Sequence, residues 1–272
     1  MNGPTATQVA LVRIALGTYV AAHAVTLVPH ARELLSRDGV FPERATLFLT
    51  GVALTPPLAL ALVSILAIVA TVFACGWWRA PAAVLLWYGW AALFHANPFV
   101  DNPSVPYIGF LLLAYALLPP GDALVPRERR RWRCPTGITV GAWAALSLGY
   151  LASAWHKLGS PSWRDGTALE VALELPPYGG DHALAHAVSA LPGPVLAAAT
   201  YAALAVEFLP LVTVWSARGR LVLWLATTAM QIAIGLLFEL HELTLGMLLV
   251  HAFVFDTAWL GDRRWSRAVR MP

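Results

Sequence analysis

Charge is what this chain has least of. Only 12% of its 272 residues are Asp, Glu, Lys or Arg, while 58% are hydrophobic. Soluble domains carry about 25% charged residues. A soluble chain of this length has no room to bury so much apolar surface, so the composition excludes an ordinary soluble domain and points to a membrane protein. Cysteine is also scarce. The two thiols, Cys75 and Cys134, are too few for a disulfide framework. Lysine is all but missing: Lys157 stands alone against seventeen arginines. A basic segment with an A-x-A site ahead of the first apolar run is missing too, so no signal peptide is expected and that run stays as a helix. The net charge of +3 says little by itself. The expected partner is the lipid bilayer, with no nucleic acid.

Apolar runs are what the chain has in plenty. A transmembrane helix needs about 20 mostly apolar residues. The sequence predicts eight such spans: Gln8–Val28, Pro57–Gly76, Ala82–Ala96, Tyr107–Leu118, Thr136–Trp155, Pro194–Trp215, Leu221–Phe238 and Leu243–Leu260. The shorter apolar piece Ala45–Leu54 reads as re-entrant or interfacial. The expected fold is all-α, a single polytopic membrane domain over 1–272. Its longest polar part, within 156–192, forms an extracytoplasmic loop with an amphipathic helix near 181–190, where Leu184 and Val188 pack down.

Arginine sets the orientation. Twelve arginines, at 79, 127, 129–131, 133, 218, 220, 263, 264, 267 and 270, fall on one side of an eight-span chain. Short loops rich in Lys and Arg stay in the cytoplasm, so both termini are expected there. The chain then reads as a bacterial inner-membrane protein. The other side collects ten of the fifteen acids, and His30, His156, His182, His186 and His241, with His23 and His95 near helix ends facing it. Proton-transfer groups thus gather on the extracytoplasmic face, where an active site is expected.

Within that distribution Lys157 is the first candidate. An amine at the end of an apolar helix is either a base with a lowered pKa or a side chain snorkelling to the headgroups. Glu239, His241 and Glu242 offer proton-relay groups at a helix junction, or else a solvated turn. His182 and His186 lie at i and i+4, the spacing of a metal-ligand pair, with His241, Glu242 or His95 open as a third ligand, although no cysteine or acidic partner sits at diagnostic spacing and a metal is not expected. Glu207 and Gln231 lie inside spans, where a carboxylate is costly and suggests function. Glu207 is either protonated and hydrogen-bonded to a neighbouring helix, or paired with Arg13; Arg13 itself is placed to snorkel. Trp87, Trp90 and Trp143 line a flat lipophilic pocket, as for a quinone, or pack helices.

The order of elements resembles the HTTM family, the membrane domain of vitamin K-dependent gamma-carboxylase-like proteins, whose bacterial relatives include sporulation-delaying protein B. Three stretches carry the likeness. Arg13-Ile-Ala-Leu-Gly17 with Glu33–Val40 resembles the family's first span and outer loop. Leu151-Ala-Ser-Ala-Trp-His156-Lys157-Leu158, with Trp163 and Gly166, resembles its A-G-x-K-K-L…W…G stretch. Leu245-Gly246-Met247 resembles its I-G-M-F stretch. The resemblance implies that Lys157 is the base that deprotonates a reduced quinone, a vitamin K-like hydroquinone, at the extracytoplasmic face. It implies carboxylase-like lyase chemistry; in a site of that kind His156, His95, His241, Glu239 or Glu242 are expected as polar partners of Lys157, and Trp155, Trp163, His95 and Tyr150 around the cofactor. His156 stands where the family has its first lysine, Ala154 replaces its glycine, and the carboxylase's large soluble C-terminal region has no counterpart. The expected substrate is therefore a hydroquinone or other lipophilic small molecule rather than a protein glutamate. Two alternatives remain open at this point: a non-catalytic membrane protein of peptide maturation, export or immunity with a small peptide partner, and a transporter with Glu207 and Gln231 lining its path.

Overall fold

The computed structural model describes residues 3–122, 124, 132–175 and 178–260. The arginines expected at 127 and 129–131 and in the basic tail lie outside these residues. Among the described residues the chain is all-helical; extended backbone is confined to two isolated bridges, Thr46↔Ala53 and Gly179↔Phe238. It forms two compact units, Pro4–Ile138 and a second built from Thr139 onward.

A helix occupies each of the eight apolar segments. Five are long and apolar enough to cross a membrane: Ala6–Leu35, Pro56–Cys75, Thr136–Leu158, Gly193–Thr213 and Ala217–Leu237. Val105–Leu117 and His241–Val254 are apolar but shorter. At about 1.5 Å per residue such lengths rise only about 20 Å, against a hydrocarbon core of about 30 Å. The last span was expected to reach Leu260, but its helix stops at Val254, and a separate turn covers Thr257–Leu260.

In the first unit, helix α1 (Ala6–Leu27) starts at a capping box. Thr5 Oγ1 accepts from the Gln8 amide at 3.2 Å and Gln8 Oε1 accepts from the Thr5 amide at 3.3 Å. A short helix α2 (Ala31–Leu35) follows. The apolar piece Ala45–Leu54 then folds back on itself: Leu47 N donates to Val52 O and Leu54 N to Ala45 O, both at 2.8 Å, through a turn with Leu49 and Gly51 at positive φ. It pairs its own backbone and forms no helix. Helix α3 (Pro56–Cys75) opens on Pro56-Pro57, whose fixed φ suits a first turn, and ends at Gly76 in the left-handed region, φ 83°. Helices α4 (Arg79–Ala96) and α5 (Val105–Leu117) complete the unit.

Gly17 lets α1 and α3 touch. A Cβ there would lie 2.7 Å from Ala74 Cβ and 2.8 Å from Ala70 O. A polar clamp ties α1, α3 and α4 to the segment that follows α5. Arg13 Nε donates to Asp122 Oδ2 at 2.8 Å, and Arg13 Nη1 donates to the carbonyls of Phe73 and Ala74 at the end of α3. Arg79, at the start of α4, donates to Asp122 Oδ1 and to Leu118 O and Pro119 O beyond α5. Arg13 had been placed in the sequence as a snorkelling residue or as the partner of Glu207. It is neither: it is buried on Asp122. Tyr115 OH donates to Val9 O at 2.6 Å close by.

In the second unit, helix α6 (Thr136–Leu158) leads into a polar segment with three short helices, α7 (Pro161–Arg164), α8 (Ala168–Glu174) and α9 (Ala183–Ser189). Helices α10 (Gly193–Phe208), α11 (Pro210–Thr213), α12 (Ala217–Leu237) and α13 (His241–Val254) follow. The polar segment is tied down. Tyr201 OH donates to Arg164 O at 2.8 Å, Leu169 N to Thr200 Oγ1 at 3.1 Å, and Gly180 N to Leu237 O at 3.2 Å. The amphipathic helix is shorter than expected, with His182 as its N-cap. Its inner face is Ala185 with Val188, packed beside Leu173 and Leu196; Leu184 is exposed.

Candidate functional site

The site is built on one face of α6. Ser147, Tyr150, Ser153 and Lys157 recur at spacings that keep them within about 120° of arc on a helix of 3.6 residues per turn. Lys157 does not reach for the headgroups. Its Nζ donates to Glu207 Oε1 at 2.5 Å, and Ser153 Oγ donates to the same oxygen at 3.1 Å. Helix side chains lean toward the N-terminus, so the amine is drawn back one turn, to the level of Ser153. The Trp163 ring, brought round by α7, lies 4.3 Å from Nζ and adds a cation–π contact.

Glu207 is buried on α10, its side chain 4% exposed against 25% for Lys157. Its other oxygen, Oε2, is buried and has no hydrogen-bond partner among the described residues. A buried acceptor left unpaired costs about 1–3 kcal/mol, more when charged. The arrangement is a carboxylate paired with an ammonium on one oxygen, its other oxygen without a partner among the described residues.

A second polar cluster lies further along the same face. Gln231 Nε2 donates to Tyr150 OH at 3.0 Å, and Tyr150 OH lies 3.4 Å from His251 Nε2. Thr227 Oγ1 is 2.9 Å from the same Nε2, and His251 Nδ1 lies 2.7 Å from Met247 O. That carbonyl can only accept, so Nδ1 carries a proton. Gln231 Oε1 and Ser147 Oγ are buried without a partner among the described residues. Beyond this cluster Trp224, Phe255, Trp259 and Trp143 pack ring to ring, with Trp224 Nε1 donating to His251 O at 2.8 Å.

No family model, curated protein or solved structure matches the chain. The site is therefore read from its own geometry.

Of the residues expected around Lys157, Trp163 touches it and Tyr150 lies two turns along its face. His156 and Trp155 point outward, Trp155 being 73% exposed. His241 is exposed and sits 3.4 Å from Glu239, and Glu242 is exposed beside it. His95 makes its contacts inside the first unit, with Thr46 Oγ1 at 3.3 Å and the Phe48 ring. His182 and His186 have separate duties: His182 Nδ1 accepts from the Ala185 amide at 3.2 Å, and His186 Nε2 meets Asp181 at 3.0 Å. No group of three or more potential metal ligands occurs among the described residues. Trp90 and Trp143 are buried in helix packing, Trp90 donating to Val105 O at 3.1 Å.

Sequence reasoning singled out Lys157, Glu207, Gln231 and Tyr150 but did not join them. It left out Ser153 and Thr227 and gave His251 no role. One signal was available: Ser147, Tyr150, Ser153 and Lys157 form a polar row at helical spacing inside an apolar span.

Proposed function

We propose that the chain is a multi-pass membrane enzyme in which Lys157 and Glu207 deprotonate a lipophilic hydroxyl compound, a phenol or hydroquinone. The observation that carries this reading is Glu207 Oε2, a buried carboxylate oxygen without a partner among the described residues, beside an ammonium fixed on Oε1. An ammonium bound in that pair has no lone pair to offer. Glu207 Oε2 therefore takes the proton, and Lys157 passes from counter-ion of the carboxylate to counter-ion of the new oxyanion. The net charge of the site does not change, which matters where solvation is poor. The Trp163 ring, 4.3 Å from Nζ, gives the site an aromatic wall beside the ammonium. The likeness of 151–166 to the HTTM stretch is in keeping with this chemistry, as is the implied hydroquinone.

In the same reading the chain crosses the inner membrane of a bacterium eight times, with both termini in the cytoplasm and the site opening on the other face. The arginine distribution supports that topology. So does the clamp in the first unit, which gathers the starts of α1 and α4 with the ends of α3 and α5, as alternating crossings require.

A lipophilic nitrophenol, whose phenolate absorbs visible light, tests the reading in lipid nanodiscs. Bound to the wild-type protein it turns to phenolate at a pH where it stays neutral in lipid alone. Glu207→Gln and Lys157→Met abolish the band, while Lys157→Arg keeps part of it. Equal absorbance in wild type and Glu207→Gln refutes the reading.

A further inference from the structure

The helix that carries Glu207 also fixes the ring beside Lys157. Tyr201 precedes Glu207 on α10 by about 9 Å along the axis. Its OH donates to Arg164 O at 2.8 Å, next in the chain to Trp163. Its ring packs under Gly166, where a Cβ would sit 3.1 Å from Tyr201 Cε2 and Cζ and 3.0 Å from Ala197 Cβ. Gly166 is in the left-handed region, φ 79°, so the backbone turns flat against the tyrosine there. On the other side Ser160 N donates to Lys157 O at 3.0 Å, and α7 closes on itself with Asp165 N donating to Pro161 O at 2.8 Å. Trp163 is thus set between the end of α6 and Tyr201, with its ring 4.3 Å from Lys157 Nζ. A lysine has a long flexible stem and, at the end of an apolar helix, reaches for water when nothing holds it. Two contacts hold Lys157: the ion pair with Glu207 Oε1 and the Trp163 ring. They differ in one respect. The ion pair loses its charge attraction once Glu207 takes a proton, whereas the attraction of an ammonium to an indole face does not depend on that carboxyl.

We propose that Tyr201 is a positioning residue: it holds Trp163 over Lys157, and the indole keeps the ammonium in the site while Glu207 is protonated. The proposal rests on the reading of Glu207 as the proton acceptor and names what retains its counter-ion in the protonated state. Without the ring, nothing but the carboxylate restrains the stem, and the ammonium is free to leave for the headgroups when that charge is neutralised. The new oxyanion then lacks a counter-ion in poorly solvating surroundings. With the ring in place the ammonium stays beside the carboxyl, ready to pair with the oxyanion and to return to Glu207 afterwards. Tyr201 acts through Trp163, its hydroxyl being spent on the backbone of α7. Because Tyr201 and Glu207 share one helix, the ring is placed in the same frame as the carboxylate, as a site that must hold its geometry requires.

Lys157 is the only lysine in the chain, so lysine labelled with carbon-13 gives one side-chain spin system that needs no assignment. Protons above an indole face are shifted upfield by its ring current. In nanodiscs without substrate the Lys157 Hε signal is expected upfield of that of free lysine, and Trp163→Leu removes the shift. Glu207→Gln, which stands in for the protonated carboxyl, keeps it. Tyr201→Ala removes it in the wild-type and the Glu207→Gln backgrounds alike, while Tyr201→Phe, which keeps the ring under Gly166, retains most of it. Tyr201 is 46% exposed, so its replacement leaves the core of the unit in place. An unchanged upfield shift in Tyr201→Ala overturns the proposal, and this comparison needs no folded Glu207→Gln protein. A free-lysine shift in Glu207→Gln also overturns it. The nitrophenol assay keeps the two readings apart. Equal phenolate in wild type and Glu207→Gln refutes the acid–base reading and leaves the placement of Trp163 by Tyr201 intact. Where Glu207→Gln abolishes the band, Tyr201→Ala weakens it at unchanged nitrophenol affinity; a band of full strength there overturns the positioning role and leaves the acid–base reading.

Discussion

Removing the carboxylate at Asp122 leaves two buried guanidinium groups facing each other. Arg13 and Arg79 have side chains 8% and 10% exposed, and Asp122 only 6%. Asp122→Asn keeps the shape and removes the charge. Breaking a buried ion pair by deleting one partner costs about 3–5 kcal/mol, because the remaining charge is left uncompensated. Charged hydrogen bonds give an independent figure: two are weakened, at about 1.5–3 kcal/mol each. The carbonyls of Phe73, Ala74, Leu118 and Pro119 still receive both guanidinium groups. Their dipoles at helix ends offset part of the loss, so the expected destabilisation is near the lower end, about 3 kcal/mol. Arg13→Gln costs less, because Arg79 still neutralises Asp122. The double variant Arg13→Gln with Asp122→Asn recovers part of the loss, since one charge then faces no other. Denaturant unfolding in mixed micelles, read by tryptophan fluorescence, measures all three. A loss under about 1 kcal/mol for Asp122→Asn, the range of an exposed pair, refutes the clamp as a source of stability.

Gly17→Val drives a side chain into the backbone of α3 and should destabilise by about 1–3 kcal/mol in the same unfolding assay, whereas Gly137→Ala, which meets open space, should not. Topology is checked by single cysteines in a variant without Cys75 and Cys134. Ser160→Cys reacts with an impermeant thiol reagent in intact cells, and Arg130→Cys reacts only after the membrane is opened. Ser153→Ala removes one donor from Glu207 Oε1 but leaves Lys157, so the nitrophenol band persists with altered pH dependence, against its loss in Glu207→Gln. A Ser153→Ala phenotype equal to Glu207→Gln means the serine, not the ion pair, governs the site.

Helices were legible because the bilayer imposes a long apolar run, and such runs can be counted. The ends of α3 were legible because the chain is punctuated there, by Pro56-Pro57 at its start and Gly76 at its end; the Ser216 cap of α12 was missed, the span having been started at Leu221. The piece Ala45–Leu54 was not legible, because apolarity alone does not tell a membrane-dipping segment from a turn that pairs its own backbone. Lys157 and Glu207 each stood out as costly ions in apolar surroundings. Their pairing spans fifty residues and depends on how α6 and α10 pack, which no local pattern encodes. Arg13 and Asp122 illustrate the same limit: Arg13 had a plausible local account, Asp122 drew no attention, and the contact that holds them is formed by helix ends far apart in the chain.

Composition and periodicity by themselves thus determined the class of the protein, its helical segments and the residues too polar for their surroundings, since these follow from the transfer of side chains and backbone out of water. Only the tertiary structure decided which of those residues meet. Burial obliges a polar group to find a partner but does not say which one, and among side chains on different helices that choice is made by packing geometry.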